Sequence, residues 1–564
     1  MPEAAPTLGD FILDSAGRYL QTVVVVDDRI YENASGSVAT RLRTPSPGPR
    51  KAALRSAAAA PPQKAAAEQG EEGAEAVEEV SFHDVQNSFA KKRIICSLYQ
   101  PKKNASFGEL SDVYCLCSAA DVVIVDWDLH GDSGSKATTL VANLIEQSMK
   151  DIPNQLRLVL IYTMETNLHA VADQLYEELG RRVGKEKIGV DSATKGLILT
   201  TVNARVVILG KRENTSLQEY ADFWVPEKML AERTIKEFSL LASGLLQAVV
   251  LRGVAKLRDN NRRILMRFQP GLDAAFLTHR ALSLPKESFS QIVPLLTDEM
   301  RAVLEDTLGE NPIGSDSEVE AIIGDWCTTQ WKPGSNATEY VGAGGDSLGL
   351  ARSAFCKGEA DQSNYKFFQK GGSCKNLPWK NKPLKVAEFL SGAGGGESPH
   401  QELGSLMSQR VRYGDAQRPL HLGVIVREMG RKRRYFLCLQ PVCDSVRING
   451  IARTFIFCSL SVPEDGGGFT HVVVDLKNKA IRLRYNPQVE HCLLIKFTTG
   501  TDSLLASKDG KGRFFFRDEA KDKYEWIAEL KTEHAQRAAE EFGRNLSRVG
   551  LTESEWLRLK ARQS

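Results

Sequence analysis

The chain has 564 residues with a net charge of +2, and 42% of its residues are hydrophobic while 26% are charged. This composition predicts a globular protein long enough for two to four domains, and its charge implies neither a nucleic-acid partner nor a membrane surface. The N-terminal sequence lacks a basic segment followed by an apolar core, and no later stretch approaches the length of a membrane span. We therefore expect a cytoplasmic protein with no membrane contact and no nucleic-acid partner.

The first predicted elements are a helix at residues 11–20 and a buried strand in TVVVVDDRI, whose apolar run ends at Asp27 and Asp28. The tract at residues 34–79 is rich in Ala, Pro, Glu and Gly and has almost no large apolar side chains. Such a segment cannot bury enough apolar surface to fold, so we interpret it as a disordered insertion.

Strands and helices then alternate, with short connections. A helix in SFHDVQNSFAKK and a strand in KRIICSLYQP lead, through a further helix, to DVVIVDWDLHGDSG, where four β-branched residues precede Asp126. An unbroken run of this kind is typical of a strand buried on both faces. The next predicted elements are a helix in TTLVANLIEQSMK, a strand in LRLVLIYT that ends at Thr163, and a helix in NLHAVADQLYEELGRRVG. One or two further strands are predicted in GLILTTVNARVVILGK, and they end at Lys211. This order predicts an α/β domain with a doubly wound parallel sheet.

In such sheets the chemistry lies at the carboxyl ends of the strands. Those ends carry Asp27, Asp28, Asp126, Thr163 and Lys211. Three carboxylates can share one Mg²⁺, an ion that prefers carboxylate oxygens and keeps several waters. One Asp oxygen then stays free to attack phosphorus, while the hydroxyl and the ammonium neutralise the transferred oxygens.

The motifs VVVVDD, VVIVDWDLHGDSG, LVLIYT and ILGK, in that order, resemble the receiver domain of two-component response regulators over roughly residues 15–215. The resemblance implies a flavodoxin-like fold in which Asp126 accepts a phosphoryl group from a histidine kinase. It also implies that Asp27 and Asp28 hold Mg²⁺ together with Asp126, and that the backbone carbonyl of Asp128 completes the metal shell.

By the same resemblance, Thr163 matches the hydroxyl residue that contacts the phosphoryl oxygens, and Lys211 matches the lysine that pairs with them. The sequence departs from the family pattern at several positions. His130 replaces the proline of D-x-x-L-P-x-x-x-G, and Ile208 stands where an aromatic switch residue is usual. Arg212 follows Lys211 in place of proline.

The interval between Thr163 and Lys211 is also longer than usual, as if a strand had been added, which leaves Lys195 as an alternative to Lys211. A degenerate receiver that binds a partner without being phosphorylated is a further alternative. The acidic pair and the acceptor favour a receiver that is phosphorylated.

Three regions follow the receiver-like region, which we place at residues 1–225. Residues 226–312 have helical spacing and predict either a dimerising or signal-relaying module or a helical layer packed on the receiver. Residues 313–417 are mixed, with Gly-rich breaks. Residues 418–564 predict a β-rich module, an antiparallel sheet or small barrel, closed by helices in KYEWIAELKTEHAQRAAEEFGRNLSRVG and TESEWLRLKARQ.

Other candidate residues have weaker patterns. No second pair at zinc-ligand spacing accompanies Cys115 and Cys117, and RKRRYF, residues 431–436, reads as a hairpin turn with its charges in solvent. Five further residues are isolated candidates, and none has a surrounding sequence typical of a catalytic or carrier site. They are His279, Ser347, His421, His471 and His491.

A large regulator with an unusual receiver and no recognisable output is similar to the receiver proteins of bacterial antiphage two-component systems. The similarity is to the type that accepts phosphate without carrying a toxic enzyme domain, and it implies a second response regulator that competes for phosphate. One alternative is a phosphorylation-controlled interaction protein whose C-terminal module contacts protein or nucleic acid. Another is an enzyme with a site in residues 340–500, which we rank last.

Overall fold

The computed structural model describes most of the chain. The described residues are 5–31, 81–150, 155–194, 196–211, 218–282, 292–309, 311–335, 346–357, 366–368, 374–376, 383–394, 397–413, 416–430, 433–464 and 468–547. The chain divides into two compact units, residues 1–326 and 327–564. The predicted disordered insertion at 34–79, Lys195, Arg212 and the last predicted helix lie outside the described residues.

A seven-stranded sheet forms the centre of the first unit. Its strands are β1 (Thr22–Val26), β2 (Ile95–Tyr99), β3 (Val122–Val125), β4 (Arg157–Thr163), β5 (Gly189–Val190), β6 (Ile198–Thr200) and β7 (Ala204–Gly210). Their order is β2-β1-β3-β4-β7-β6-β5. The first five strands in this order pair in parallel, whereas β6 and β5 add an antiparallel hairpin at the edge beyond β7.

The hairpin accounts for the long interval between Thr163 and Lys211, because β5 and β6 lie in the chain between β4 and β7. Every residue of β3 and β4 is buried, as the unbroken apolar runs predict. The α/β class and the mostly parallel sheet are thus confirmed, with an antiparallel edge added to it.

Ten helices are described in the first unit. They are α1 (Leu8–Tyr19), α2 (Phe82–Lys91), α3 (Asp112–Ala119), α4 (Ser135–Lys150), α5 (Leu168–Val183), α6 (Leu230–Leu241), α7 (Leu245–Arg267), α8 (Asp273–Leu282), α9 (Ile292–Leu308) and α10 (Asp316–Thr329). Several begin at polar caps: Thr7 forms a capping box with Asp10, and the side chains of Ser81, Ser111 and Asn167 accept backbone N–H groups of α2, α3 and α5.

Helices α6 and α7 pack on the rest of the first unit. Helix α6 contacts α1, α2, β4 and β7, and its buried Glu237 forms ion pairs with Arg205 of β7 and Arg233 of its own helix. On α7, Arg258 donates to the carbonyl of Tyr19 and pairs with Asp121 at the amino end of β3. For these two helices the structure therefore agrees with a helical layer packed on the receiver-like sheet.

The second unit is mainly antiparallel. It contains α11 (Ser347–Lys357), β8 (Lys366–Phe368), β9 (Cys374–Asn376), α12 (Pro383–Ser391), α13 (Glu397–Ser408), β10 (Val424–Glu428), β11 (Tyr435–Cys438), β12 (Arg453–Ser461), β13 (His471–Val474), β14 (Ala480–Tyr485), β15 (Cys492–Phe497), β16 (Ser507–Lys508), β17 (Phe514–Arg517), β18 (Lys523–Glu529) and α14 (Thr532–Leu546). The large sheet has the order β13-β14-β12-β11-β10-β18-β17-β16, and β15 also pairs with β12. The predicted β-rich C-terminal region with a terminal helix is confirmed.

Two apolar clusters lie against this sheet. One is rich in phenylalanine and includes Phe455, Phe497 and Trp526, while the other contains residues of α14 such as Phe542. The backbone N–H of Glu519, in the turn between β17 and β18, donates to the carbonyl of Lys496 on β15 (3.0 Å). This bond joins strands that are far apart in the sheet order, so the sheet curls around the phenylalanine cluster.

One element prediction was wrong. The segment KYEWIAE, predicted as the start of a helix, is strand β18, and α14 begins only at Thr532. Tyr524 and Trp526 lie in the phenylalanine cluster while Ile527 and Ala528 lie in the other, so the segment is buried between two apolar layers. Pairing with β10 and β17 supplies its backbone hydrogen bonds, and this tertiary environment outweighs the local helical spacing.

After β7 in the chain, a short segment returns to pair with the last residue of that strand. Trp224 forms a parallel bridge with Gly210, and the Val225 N–H donates to the Gly210 carbonyl (3.0 Å). A Cβ atom on Gly210 would lie 2.1 Å from the Trp224 ring, so only glycine allows this contact. In the described part of the chain, no helix combines the length and the apolar character needed to cross a membrane.

We predict that Gly210→Ala destabilises the first unit by about 1–3 kcal/mol, because the added methyl group overlaps the Trp224 ring and forces a shift. Urea unfolding followed by tryptophan fluorescence measures this change. Gly271→Ala is the matched control, since a Cβ atom there meets no other atom within 4 Å. Equal stability of the two variants would contradict the proposed contact.

Candidate functional site

The predicted site residues converge because their strands are neighbours. Strands β1, β3, β4 and β7 are consecutive and parallel, so their carboxyl ends share one edge of the sheet. The N–H of Asp126 donates to the Val26 carbonyl (2.9 Å), and the N–H of Lys211 donates to the Thr163 carbonyl (2.8 Å). These two bonds continue the parallel pairing by one residue. They place Asp126 and Lys211 at the carboxyl edge of the sheet.

Three carboxylates form the centre of the site. One oxygen from each of Asp27, Asp28 and Asp126 lies within 4.8 Å of the others, and all three residues are buried. Among the described residues this is the only group of acidic, cysteine or histidine side chains with metal-ligand spacing. Since like charges this close repel strongly in a low-dielectric interior, the arrangement requires a cation.

Lys211 supplies one such charge from within the chain. Its Nζ lies 2.5 Å from Asp27 Oδ2 and 3.0 Å from Asp126 Oδ1, and only 4% of the side chain is exposed. Burial raises the pKa of Asp126 to about 6; Lys211 opposes this rise, while Asp27 and Asp28 add to it. Burial alone would lower the pKa of Lys211, but the carboxylates of Asp126 and Asp27 outweigh it and the pKa is raised.

Thr163 lies at the same edge and is fully buried. Its hydroxyl oxygen accepts a hydrogen bond from the Glu165 N–H (3.1 Å), which orients the side chain in the turn after β4. The structure thus brings the predicted hydroxyl residue to the correct strand end, where it organises the loop.

The loop after Asp126 is held in an uncommon backbone conformation. His130, Gly131, Ser133 and Gly134 all have positive φ angles. A Cβ atom on Gly134 would lie 2.1 Å from the buried Trp127 ring, so the glycine of the sequence motif is needed for the loop to close over this ring.

Asp128 contributes to the same loop. Its side-chain Oδ1 accepts the Ser133 N–H (2.9 Å), so this oxygen is committed to the loop. The side chain therefore acts as a turn-stabilising group, while its backbone carbonyl stays a predicted metal ligand.

Sequence reasoning noted His130 only as a departure from the family motif. The structure shows its backbone N–H donating to Asp28 Oδ2 (2.8 Å) and its Nδ1 at 3.3 Å from the same oxygen. Its Nε2 lies 2.9 Å from the Pro101 carbonyl. A proline cannot adopt a φ of +64°, and the sequence carried no sign of that angle.

Tyr162 was not identified from the sequence. Its hydroxyl donates to the Val225 carbonyl (2.7 Å), and Lys211 Nζ lies 5.7 Å from the centre of its ring. It therefore joins the site lysine to the segment that leads into α6. Ile208, at the position of the usual aromatic switch, is fully buried in β7. The only signal for Tyr162 in the sequence was that its aromatic side chain directly precedes Thr163.

The donor set fits Mg²⁺. All candidate ligands are hard oxygens, and Asp28 Oδ1 is buried with no hydrogen-bond partner in the described part of the chain. A buried carboxylate oxygen is costly unless a cation or donor meets it, so this oxygen is suited to an ion. The buried group of Asp27, Asp28 and Asp126 therefore fits a magnesium ion.

The weaker candidates lie elsewhere. Arg434 of RKRRYF pairs with Glu428 across the β10–β11 hairpin, as expected for a solvated turn. Cys117 is buried and Cys115 is exposed on α3. The remaining candidates are on separate elements: His279 on α8, Ser347 on α11, His421 before β10, His471 on β13 and His491 before β15.

Comparison with known proteins agrees with this geometry. Residues 19–216 match the family model of the response receiver domain. No curated protein and no solved structure matches the chain. The matched range contains β1 to β7 and every predicted site residue, and it ends before Trp224 and α6.

We predict that Lys211→Met lowers the metal-free stability of the first unit by roughly 3–5 kcal/mol at pH 8, because the variant leaves buried carboxylates without their cation. Added Mg²⁺ should raise the melting temperature of Lys211→Met more than that of the wild type, since the ion replaces the lost charge. Differential scanning fluorimetry with and without Mg²⁺ measures both effects. Lys236→Met, at an exposed position of α6, is the control; a smaller Mg²⁺ shift in Lys211→Met would contradict the prediction.

Proposed function

From a response receiver domain at residues 19–216, we propose that this protein accepts a phosphoryl group on Asp126 from a phosphohistidine of a histidine kinase. The observation that supports this proposal most directly is the buried cluster in which Lys211 joins the carboxylates of Asp27 and Asp126. An acceptor carboxylate needs neighbouring positive charge to receive a dianionic phosphoryl group, and this cluster is built around such a charge.

The reaction is an in-line displacement at phosphorus. A carboxylate oxygen of Asp126 forms the new O–P bond, the P–N bond of the phosphohistidine breaks, and its electron pair stays with the imidazole nitrogen. The pKa of Asp126, about 6, leaves the group mostly ionised at neutral pH, so the nucleophile needs no general base. The product is a mixed anhydride on Asp126.

The remaining residues stabilise the transferred oxygens. The Lys211 ammonium neutralises their charge, and the Thr163 hydroxyl donates a hydrogen bond to one of them. As Lys211 turns toward the phosphoryl group it releases Asp27 Oδ2. A Mg²⁺ ion held by Asp27, Asp28, Asp126 and the Asp128 carbonyl would neutralise further charge on the phosphoryl oxygens.

The finer assignment is a cytoplasmic phosphate acceptor in a bacterial antiphage two-component system. In this role the protein draws phosphoryl groups away from a second response regulator. It thereby raises the signal level that is needed to activate the effector. The similarity of the sequence to that class of receiver protein supports this assignment.

We predict that Mg²⁺ and acetyl phosphate add one phosphoryl group, about 80 Da, to the wild-type chain and none to Asp126→Asn, because the amide cannot attack phosphorus. Intact-mass spectrometry measures the adduct. Asp173→Asn, an exposed carboxylate on α5, is the matched control and should take the adduct as the wild type does. An adduct on Asp126→Asn, or none on the wild type even with a phosphorylated kinase, would argue against the proposal.

Competition tests the finer assignment. A histidine kinase encoded beside this protein, labelled with radioactive phosphate, should transfer the label to the full chain. Adding wild-type protein should reduce the label on a second regulator of the same operon, whereas Asp126→Asn should not, because it accepts no phosphate. Equal reduction by both proteins would point to competition for kinase binding instead.

A further inference from the structure

His130 contacts the metal-ligand group through both its backbone and its ring. Its backbone N–H and its ring Nδ1 both meet Asp28 Oδ2, at 2.8 and 3.3 Å. Its Nε2 meets the carbonyl of Pro101, in the loop that follows β2. One side chain therefore ties together the ends of β1, β2 and β3.

These contacts give the two carboxylate oxygens of Asp28 different surroundings. Oδ2 is held by His130, whereas Oδ1 is buried and has no hydrogen-bond partner among the residues that the structure describes. A carboxylate fixed at one oxygen cannot rotate freely, so its other oxygen is presented in one direction. This other oxygen is Oδ1 of Asp28, which is a member of the group of Asp27, Asp28 and Asp126.

The backbone of His130 is part of this arrangement. Its φ of +64° directs the N–H toward Asp28, and the ring reaches both Asp28 and Pro101 from that conformation. Non-glycine residues adopt such angles at an energetic cost, and they persist where surrounding contacts stabilise them. The contacts to Asp28 and Pro101 are the ones that stabilise this angle.

We propose that His130 is a positioning residue that holds Asp28 so that Oδ1 faces the metal ion. This inference rests on the proposed function, since it concerns the ion that the phosphoryl-accepting site binds. His130 does not touch the reacting atoms; it determines how well Asp28 binds the ion. Groups that orient metal ligands in this way typically change metal affinity by about 10–100-fold when removed.

The test uses three variants of the full chain. His130→Gly removes the ring and tolerates the positive φ, while His130→Asn is also tolerated in this conformation and places a polar atom near the position of Nδ1. Ser133→Gly, at another residue of the loop with positive φ, controls for added backbone freedom, and it keeps the backbone N–H through which Ser133 contacts Asp128. The Mg²⁺ dissociation constant is measured by isothermal titration calorimetry, and the Mg²⁺-free melting temperature is measured alongside.

We expect His130→Gly to weaken Mg²⁺ binding by about 10–100-fold, His130→Asn to recover part of this loss, and Ser133→Gly to bind as the wild type does. At saturating Mg²⁺, His130→Gly should still take the acetyl phosphate adduct. Unchanged Mg²⁺ affinity in His130→Gly, with or without a lower melting temperature, would overturn the positioning role while leaving the proposed function intact. A wild type that binds no Mg²⁺ and takes no adduct would overturn both.

Discussion

Three carboxylates and one ammonium, buried together at the end of a parallel sheet, are the constraint on which the first unit depends. Asp27, Asp28 and Asp126 repel one another, and Lys211 offsets part of that repulsion. The fold holds them close only because four adjacent strands end at the same level. One ammonium stands against three carboxylates here, so the charge at this edge of the sheet is only partly balanced by the chain itself.

The surroundings of the cluster show how it connects to the rest of the unit. On one side, His130 and the loop after β3 hold Asp28 and reach Pro101. On the other, Tyr162 lies near Lys211 and donates to Val225, in the segment that packs on Gly210 and leads to α6. Tyr162 thus links the surroundings of Lys211 to residues beyond the matched receiver range.

The second unit has its own core and its own buried charge. Glu529 of β18 is almost fully buried. It forms ion pairs with Arg410 and Arg412, which lie in the segment after α13. Its sheet curls around the phenylalanine cluster and carries α14 on the other side. The second unit therefore has hydrophobic clusters and a buried ion-pair network of its own.

The sequence by itself determined the α/β class, the buried strands and the identity of the residues at their carboxyl ends. Unbroken β-branched runs and strand-terminal carboxylates are local signals, which is why Asp27, Asp28, Asp126, Thr163 and Lys211 could be found before any coordinates were known. Only the tertiary structure decided what depends on partners distant in the chain. The edge hairpin β5–β6, the Tyr162 hydrogen bond to Val225, the contact of His130 with Asp28 and the strand in KYEWIAE all arise from neighbours that local periodicity does not encode.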